Sequence, residues 1–304
     1  MVLRGQVSTV PNIQTQAGIA SAADYAVCRQ VMQNASKNYS FASKFLPQDK
    51  LHHVEALYAL LRVGDDRVDV SHAGFDSPLA AIDDWEAAYW HTFETGDSPH
   101  PVMRAYLNTA VECCIPSEIM YDYFRAMRDD LTITRFPTFA DLLHYMDGSA
   151  VPVGRGMTYI LNVRDPYHFR EALRGADSLS IAMQLSNFWR DIGEDWVRGR
   201  VYIPQEDLQL FGYSENDLAA GRVDRNLVDL IEFQFARTER YYEVARQSVA
   251  MLEAGRWGVM SGLEIYQAII TNIRRNDYNI FTRRAKASKW QKLRLVWGAY
   301  LQAR

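Results

Sequence analysis

Two short acidic clusters constrain this chain more than any other feature. The first is Arg62-Val-Gly-Asp65-Asp66-Arg-Val-Asp69, and the second is Asn187-Phe-Trp-Arg190-Asp191-Ile-Gly-Glu194-Asp195. On a helix, Asp65 and Asp69 share one face about 6 Å apart, and Asn187, Asp191 and Asp195 share another. Like charges at that spacing repel, so a helix gains nothing from them alone. Both clusters nevertheless sit in apolar surroundings. Val54, Leu57, Tyr58, Leu61 and Val68 repeat with a helical period around the first, and Phe188, Trp189 and Ile192 flank the second. A hard divalent cation such as Mg²⁺ gives such carboxylates a purpose, because it takes oxygen ligands, often a few carboxylates plus substrate phosphates. Either cluster alone reads equally as a solvated acidic face. The two together favour the cation, acting as a Lewis acid on a diphosphate leaving group.

The rest of the chain is patterned for helices. They are expected over about 22–36, from Pro47 through the first cluster, and over 78–95, 100–112, 117–130, 138–163, 167–196, 226–254, 257–282 and 287–302. Pro152, beside Gly148, Gly154 and Gly156, should break or kink the 138–163 pattern. No stretch alternates with period two, and no repeat or composition shift marks a boundary. The fold class is therefore all-α, with a single domain over 21–304 behind a polar, mobile arm at 1–20.

Composition narrows the function. With 48% hydrophobic and 23% charged residues, the chain is not of the disordered class. A net charge of −4 argues against nucleic-acid partners. Cys28, Cys113 and Cys114 offer no CxxC spacing, so neither a disulfide framework nor a zinc site is expected. No signal-peptide core and no apolar run long enough to span a bilayer is present. A cytoplasmic protein is expected. A diphosphate site also needs cations, and Arg62, Arg190, Arg198, Arg200, Arg274, Arg275, Arg283 and Arg284 supply them, Arg being suited to bidentate phosphate contact.

These residues resemble the squalene/phytoene synthase family of head-to-head prenyltransferases, over about residues 25–290. Arg62-x-x-Asp65-Asp66-x-x-Asp69 is similar to its first aspartate-rich motif. Gln184-Leu-Ser-Asn187 through Asp195, continuing to Arg198-Gly-Arg-Val-Tyr-Ile-Pro204, is similar to its second. Tyr39-Ser40-Phe41, Tyr145-Met-Asp-Gly148-Ser149-Ala150, Asp129-Asp130-Leu-Thr and Asp277–Ala285 are further matches.

The resemblance implies an isoprenoid-synthase helical bundle with a deep central cavity, in which two allylic diphosphates condense through a cyclopropyl diphosphate. It implies two or three Mg²⁺ ions, with Mn²⁺ an alternative, held by Asp65, Asp69, Asn187, Asp191 and Asp195. Arg62, Arg190 and Arg283 would hold phosphate, Tyr58 and Tyr266 would act near the diphosphates, and Ser40, Phe41 and Gln184 would line the substrate. Pro152-Val-Gly-Arg155 and Asn187-Phe-Trp189 resemble the branch that makes C30 products from farnesyl diphosphate. Gly148-Ser-Ala, Ile192-Gly-Glu194-Asp195 and Asp277–Ala285 resemble the branch that makes phytoene from geranylgeranyl diphosphate, and Asn38 stands where a serine is common. The balance leans to phytoene, for which NADPH is not expected. A non-catalytic scaffold on the same fold is the other class of function, and the complete motifs argue against it.

The last helix places Trp290, Leu293, Trp297 and Tyr300 on one face, with Lys286, Lys289, Lys292, Arg294 and Arg304 around it. Such a helix either caps the core with its aromatic face or lies on an anionic membrane surface.

Overall fold

The computed structural model describes residues 19–35, 43–69 and 74–303. Most of the arm expected at 1–20, together with Ser40 and Phe41, lies outside these residues. The first helices are α1 (Ala22–Ala35), α2 (Gln48–Asp69), α3 (Pro78–Thr95) and α4 (Pro101–Glu112). Next come α5 (Tyr121–Asp129), α6 (Phe139–Ser149), α7 (Val151–Leu161) and the long α8 (Phe169–Val197). The chain finishes with α9 (Gln205–Leu210), α10 (Glu215–Ala219), α11 (Arg225–Val249), α12 (Arg256–Arg275) and α13 (Lys289–Ala303). Apart from two isolated bridges, Arg135 to Val201 and Val163 to Leu252, the described residues contain no β-structure.

Local chemistry sets the ends. Ser77 caps α3 through its side chain, with Pro78 in the first turn, where a missing N–H costs nothing. Thr138 and Asp141 form a reciprocal capping box on α6. The 138–163 pattern breaks at Ala150, and Pro152 falls in the first turn of α7, as its sequence requires. Two details differ from the sequence pattern. The stretch 197–225, without an assigned helix, contains α9 and α10. The pattern at 257–282 ends at Arg275, because Asp277 (φ 53°) and Tyr278 (φ 57°) adopt left-handed backbone. The apolar residues Ile280 and Phe281 beyond that turn lie against α8 instead of extending α12.

Two hydrophobic clusters form. The first includes Leu57 and Leu60 of α2, Trp85 and Tyr89 of α3, Tyr106 of α4 and Phe124 of α5. The second includes Leu185 and Trp189 of α8, Leu230 and Phe235 of α11, and Leu263 and Ile270 of α12. Each fully buried large side chain contributes about 1.5–3 kcal/mol. In the second cluster Trp189 Nε1 donates to Thr238 Oγ1 at 2.9 Å and Ser186 Oγ lies 2.8 Å from Tyr242 OH, which pairs these buried polar groups. Helix α7 packs against both α2 and α8, and so joins the two clusters.

Candidate active site

Where the clusters meet, helices α2, α7, α8, α11 and α12 surround a cavity of about 210 Å³. One face of α8 runs its length. Ala172, Ala176 and Leu179 line one end, Met183 follows, and Gln184 and Asn187 line the other. At 1.5 Å per residue this face spans about 22 Å. One end is small and apolar. The other is polar and includes Tyr266. Ser149 also lines the cavity, and its buried hydroxyl has no hydrogen-bond partner in the protein.

Asp191 follows Asn187 by one turn, on the same face. Arg190 Nε donates to Asp191 Oδ1 at 2.7 Å, and its Nη2 bonds Oδ2. Arg284 arrives from the other direction, with Nη2 at 2.9 Å from Asp191 Oδ2 and Nη1 at 3.2 Å from Glu194 Oε2. Gly193 makes this approach possible. A Cβ there would stand 2.9 Å from Phe281 Cα and 3.0 Å from the Ile280 carbonyl oxygen. Burial, and then the charge of Asp191, push the Asp195 carboxyl up to about 7, with Arg198 and Arg200 opposing. After α8 the chain turns back, and the Arg200 amide donates to the Asp195 carbonyl at 2.9 Å.

The first motif occupies the last turns of α2. Tyr123 of α5 donates to the Leu61 carbonyl at 2.6 Å and stands 3.4 Å from Asp65 Oδ1. Gly64 gives it room, because a Cβ there would fall 2.0 Å from the Tyr123 oxygen. Arg62 pairs with Asp66 one turn on. Its Nε is buried and bonds to nothing in the protein. Asp69 is the last residue of the helix, and its side chain lies outside the description.

Asp130 sits between the motifs. Tyr145 OH donates to it at 2.8 Å, and Arg200 Nη1 lies 3.8 Å away. Tyr123 is within electrostatic reach of Asp65 and Asp130, and Tyr202 of Asp130 and Asp195. Tyr202 stacks on Phe188, centroids 3.9 Å apart and planes 8° apart. On the other side, burial pushes the Tyr266 phenol up to about 12, with Arg190, Tyr58 and Asp191 close enough to act on it.

The structure puts Gln184, Asn187 and Tyr266 on the cavity, Tyr58, Arg190 and Asp191 close to Tyr266, and links Asp195 and Asp65 through Asp130 and the tyrosines beside it. Arg283 is exposed, and its backbone carbonyl accepts from Asn276 Nδ2 at 3.4 Å. Its neighbour Arg284 makes the acidic contacts. The sequence reading noted Arg284 and Asp130 without assigning them to the site. Tyr123 carried no signal, since its role depends on a glycine 59 positions earlier. The donor set is all oxygen, which suits a hard cation. Burial first, and the neighbouring Asp191 charge second, raise the Asp195 carboxyl, and the unbonded Arg62 Nε offers a donor to an anion.

The squalene/phytoene synthase family model matches residues 32–291. The chain belongs to the squalene/phytoene synthase family. Among curated relatives it is similar to a phytoene synthase of Arthrospira platensis, at 32% identity over 98% of this chain and 99% of that one. It is similar to the 15-cis-phytoene synthase of Synechococcus elongatus at 31% identity, over 92% and 93% of the two chains. Among solved structures it resembles a dehydrosqualene synthase in complex with ligand, with TM-score 0.83 and 27% identity, covering 93% of this chain and 98% of that one. It also resembles squalene synthase HpnC from Alicyclobacillus acidocaldarius, with TM-score 0.75 and 29% identity, covering 84% and 95%. The family is all-helical, as the sequence patterning requires. Within this squalene/phytoene synthase, no helix among the described residues is long and apolar enough to cross a membrane.

Proposed function

We propose that this squalene/phytoene synthase condenses two geranylgeranyl diphosphates head to head, through a cyclopropyl (prephytoene) diphosphate, to phytoene, with residues 21–304 acting as one unit. The observation that carries the reading is the cavity itself, largely apolar along α8 and ending at Gln184, Asn187 and Tyr266, one helical turn before Asp191. A prenyl diphosphate has the same two-ended chemistry. The near full-length likeness to phytoene synthases supports the C20 substrate.

Asp65, Asp69, Asn187, Asp191 and Asp195 would hold Mg²⁺ or Mn²⁺, which when bound would neutralise diphosphate oxygens and act as a Lewis acid. The chain's own groups do the rest. Arg62 offers its unbonded Nε to a phosphate oxygen, and Arg190 and Arg284 hold the Asp191 carboxylate in one orientation. Arg283, exposed beside Arg284, would meet a phosphate from the solvent side. The Tyr266 phenol, protonated at neutral pH and pushed further up by burial, would donate to a phosphate oxygen. Tyr58 lies near it. Gln184 and the apolar α8 face position the tails and exclude water from the carbocation. In this reading Ser40 and Phe41 line the substrate, and no NADPH is required.

The dehydrosqualene and squalene synthase neighbours favour a second reading, C30 synthesis from farnesyl diphosphate. Product analysis separates the two. Protein with Mg²⁺ is given each diphosphate alone, with and without NADPH. Phytoene from the C20 substrate without NADPH is expected. A C30 product from farnesyl diphosphate, with no turnover of the longer substrate, would replace the first reading by the second.

Helix α13 adds peripheral contact with an anionic membrane, which suits a substrate and product with long tails. Trp290 and Trp297 are 82% and 65% exposed, and Leu293 and Leu301 extend the same stripe. Tyr300, expected on that stripe, turns inward against Trp257, at 5.3 Å between centroids. Lys286, Lys289 and Arg294 are exposed beside it. Flotation with anionic liposomes should be lost in the Trp290→Ala, Trp297→Ala double variant. Equal flotation of both proteins would sink the idea.

A further inference from the structure

At the opposite end of α2 from Asp65, a second set of metal-binding side chains comes together. His52 and His53 of α2 and Glu112 at the end of α4 each offer one ligand atom, and these atoms all lie within 4.8 Å of one another. At 1.5 Å per residue, the twelve residues from His53 to Asp65 put this cluster about 18 Å from the first acidic motif. None of the three lines the cavity.

The geometry is that of a site rather than of a chance group. His53 Nε2 stands 3.4 Å from Glu112 Oε2. Two ligands held at 2.0–2.1 Å around a tetrahedral zinc ion stand about 3.4 Å apart. The surroundings orient each ligand. Thr109 Oγ1 lies 3.0 Å from His53 Nδ1, and Asn108 Nδ2 donates to Glu112 Oε1 at 2.7 Å. Tyr25 of α1 meets the His52 ring edge-on at 4.9 Å and accepts from the same Asn108 at 3.1 Å. Outer partners of this kind fix the tautomer and aim of metal ligands. In the tautomer that gives Nδ1–H to Thr109, the one a metal ligand requires, the His53 Nε2 lone pair points at a carboxylate oxygen. Two acceptors then face each other across a gap that suits a cation.

We infer that His52, His53 and Glu112 bind one Zn²⁺-class ion, which staples α2 to α4 independently of the acidic motifs. The ligand set is two imidazoles and a carboxylate, a known zinc donor set. It contains no cysteine, and the sequence reading, which sought zinc through cysteines, passed over it.

The test titrates the full chain with Zn²⁺ by calorimetry in saturating Mg²⁺, and records the visible spectrum with Co²⁺ in its place. The wild type should bind one equivalent and give the intense bands of tetrahedral cobalt. Glu112→Ala and His52→Ala, at exposed and half-buried positions that the fold tolerates, should each weaken Zn²⁺ by roughly 100-fold or more and abolish the bands. Asp191→Ala should keep both, and Glu112→Ala should keep its turnover of prenyl diphosphate. The inference is overturned if the wild type takes up no Zn²⁺, if the two variants bind as tightly as it does, or if Asp191→Ala is the variant that loses the ion.

Discussion

Over its last two turns α8 presents Asp191, Glu194 and Asp195, with Arg190 and Arg284 locked against them. Four to five turns earlier the same helix lines the cavity with small or apolar residues, Ala172, Gly175, Ala176 and Leu179, and with Ser180. The first end is specified by charge and direction. Its carboxylates, their arginines and the missing side chain at Gly193 form one arrangement, and a lost member leaves others unpaired. The second end is specified by volume alone, and volume tolerates graded change. One helix thus separates two properties of the enzyme. In the proposed function its charged end would govern whether a diphosphate ionises, and its apolar end how long a tail fits.

The largest effect should come from the charged end. Asp191→Ala should lower turnover by roughly 10³-fold or more on prenyl diphosphates of either length, about 4 kcal/mol of transition-state stabilisation. Steady-state kinetics with an unchanged circular-dichroism spectrum checks this, and near-normal turnover would end the ligand assignment. Ala176→Phe should leave ionisation intact and shorten the cavity. Its ratio of kcat/KM for C20 over C15 substrate should fall by roughly 10²-fold, because a pocket too short by several carbons rejects at least as strongly as one too short by a methylene. If Ala176→Phe instead slows both substrates equally, the division between the two ends fails.

Arg284→Ala should cost about 10-fold in kcat/KM, near 1.4 kcal/mol, since Arg190 still holds Asp191. The smallest effect lies behind the segment that carries Arg284. Glu232 receives Arg274 at 2.7 Å and Tyr278 OH at 2.7 Å. The Arg274 hydrogen bond, working against burial, holds the Glu232 carboxyl below its ordinary value. A depressed carboxyl adds stability above its unfolded value near 4.3, and that stability is lost as pH falls through the folded value. Glu232→Gln should therefore lower the urea midpoint at neutral pH and flatten its decline below about pH 4.3. Parallel pH curves for the two proteins would remove this clamp.

The helical content and both motifs were legible because each rests on local spacing. The 3.6-residue period fixed α2 and α8, and the i, i+4 carboxylates fixed which face to examine. Pro152 and its glycines marked the α6–α7 break correctly. Features that depend on contact across the fold were not legible. Ile280 and Phe281 read as more helix because their apolar character does not say which surface they cover. The contact of Arg284 with Asp191 and Glu194 was not legible, because neighbouring arginines look alike until the left-handed turn at Asp277 and Tyr278 brings one of them to α8. Nothing in the sequence singles out Gly64 or Gly193, and only the nearness of Tyr123 and of Phe281 explains them.

Both acidic motifs lie at the C-terminal ends of their helices, α2 and α8. The aligned peptide dipoles place about half a negative charge at such an end, where cations are welcome and anions are not. Helix α8 has no basic residue in its last turn. Stability alone would put these aspartates at the opposite ends. Their position instead aims the negative poles of two macrodipoles, along with the side-chain charges, at one region. The field that weakens the cation-free fold is the same field that would attract a dication, so the protein would be least comfortable where the proposed chemistry takes place.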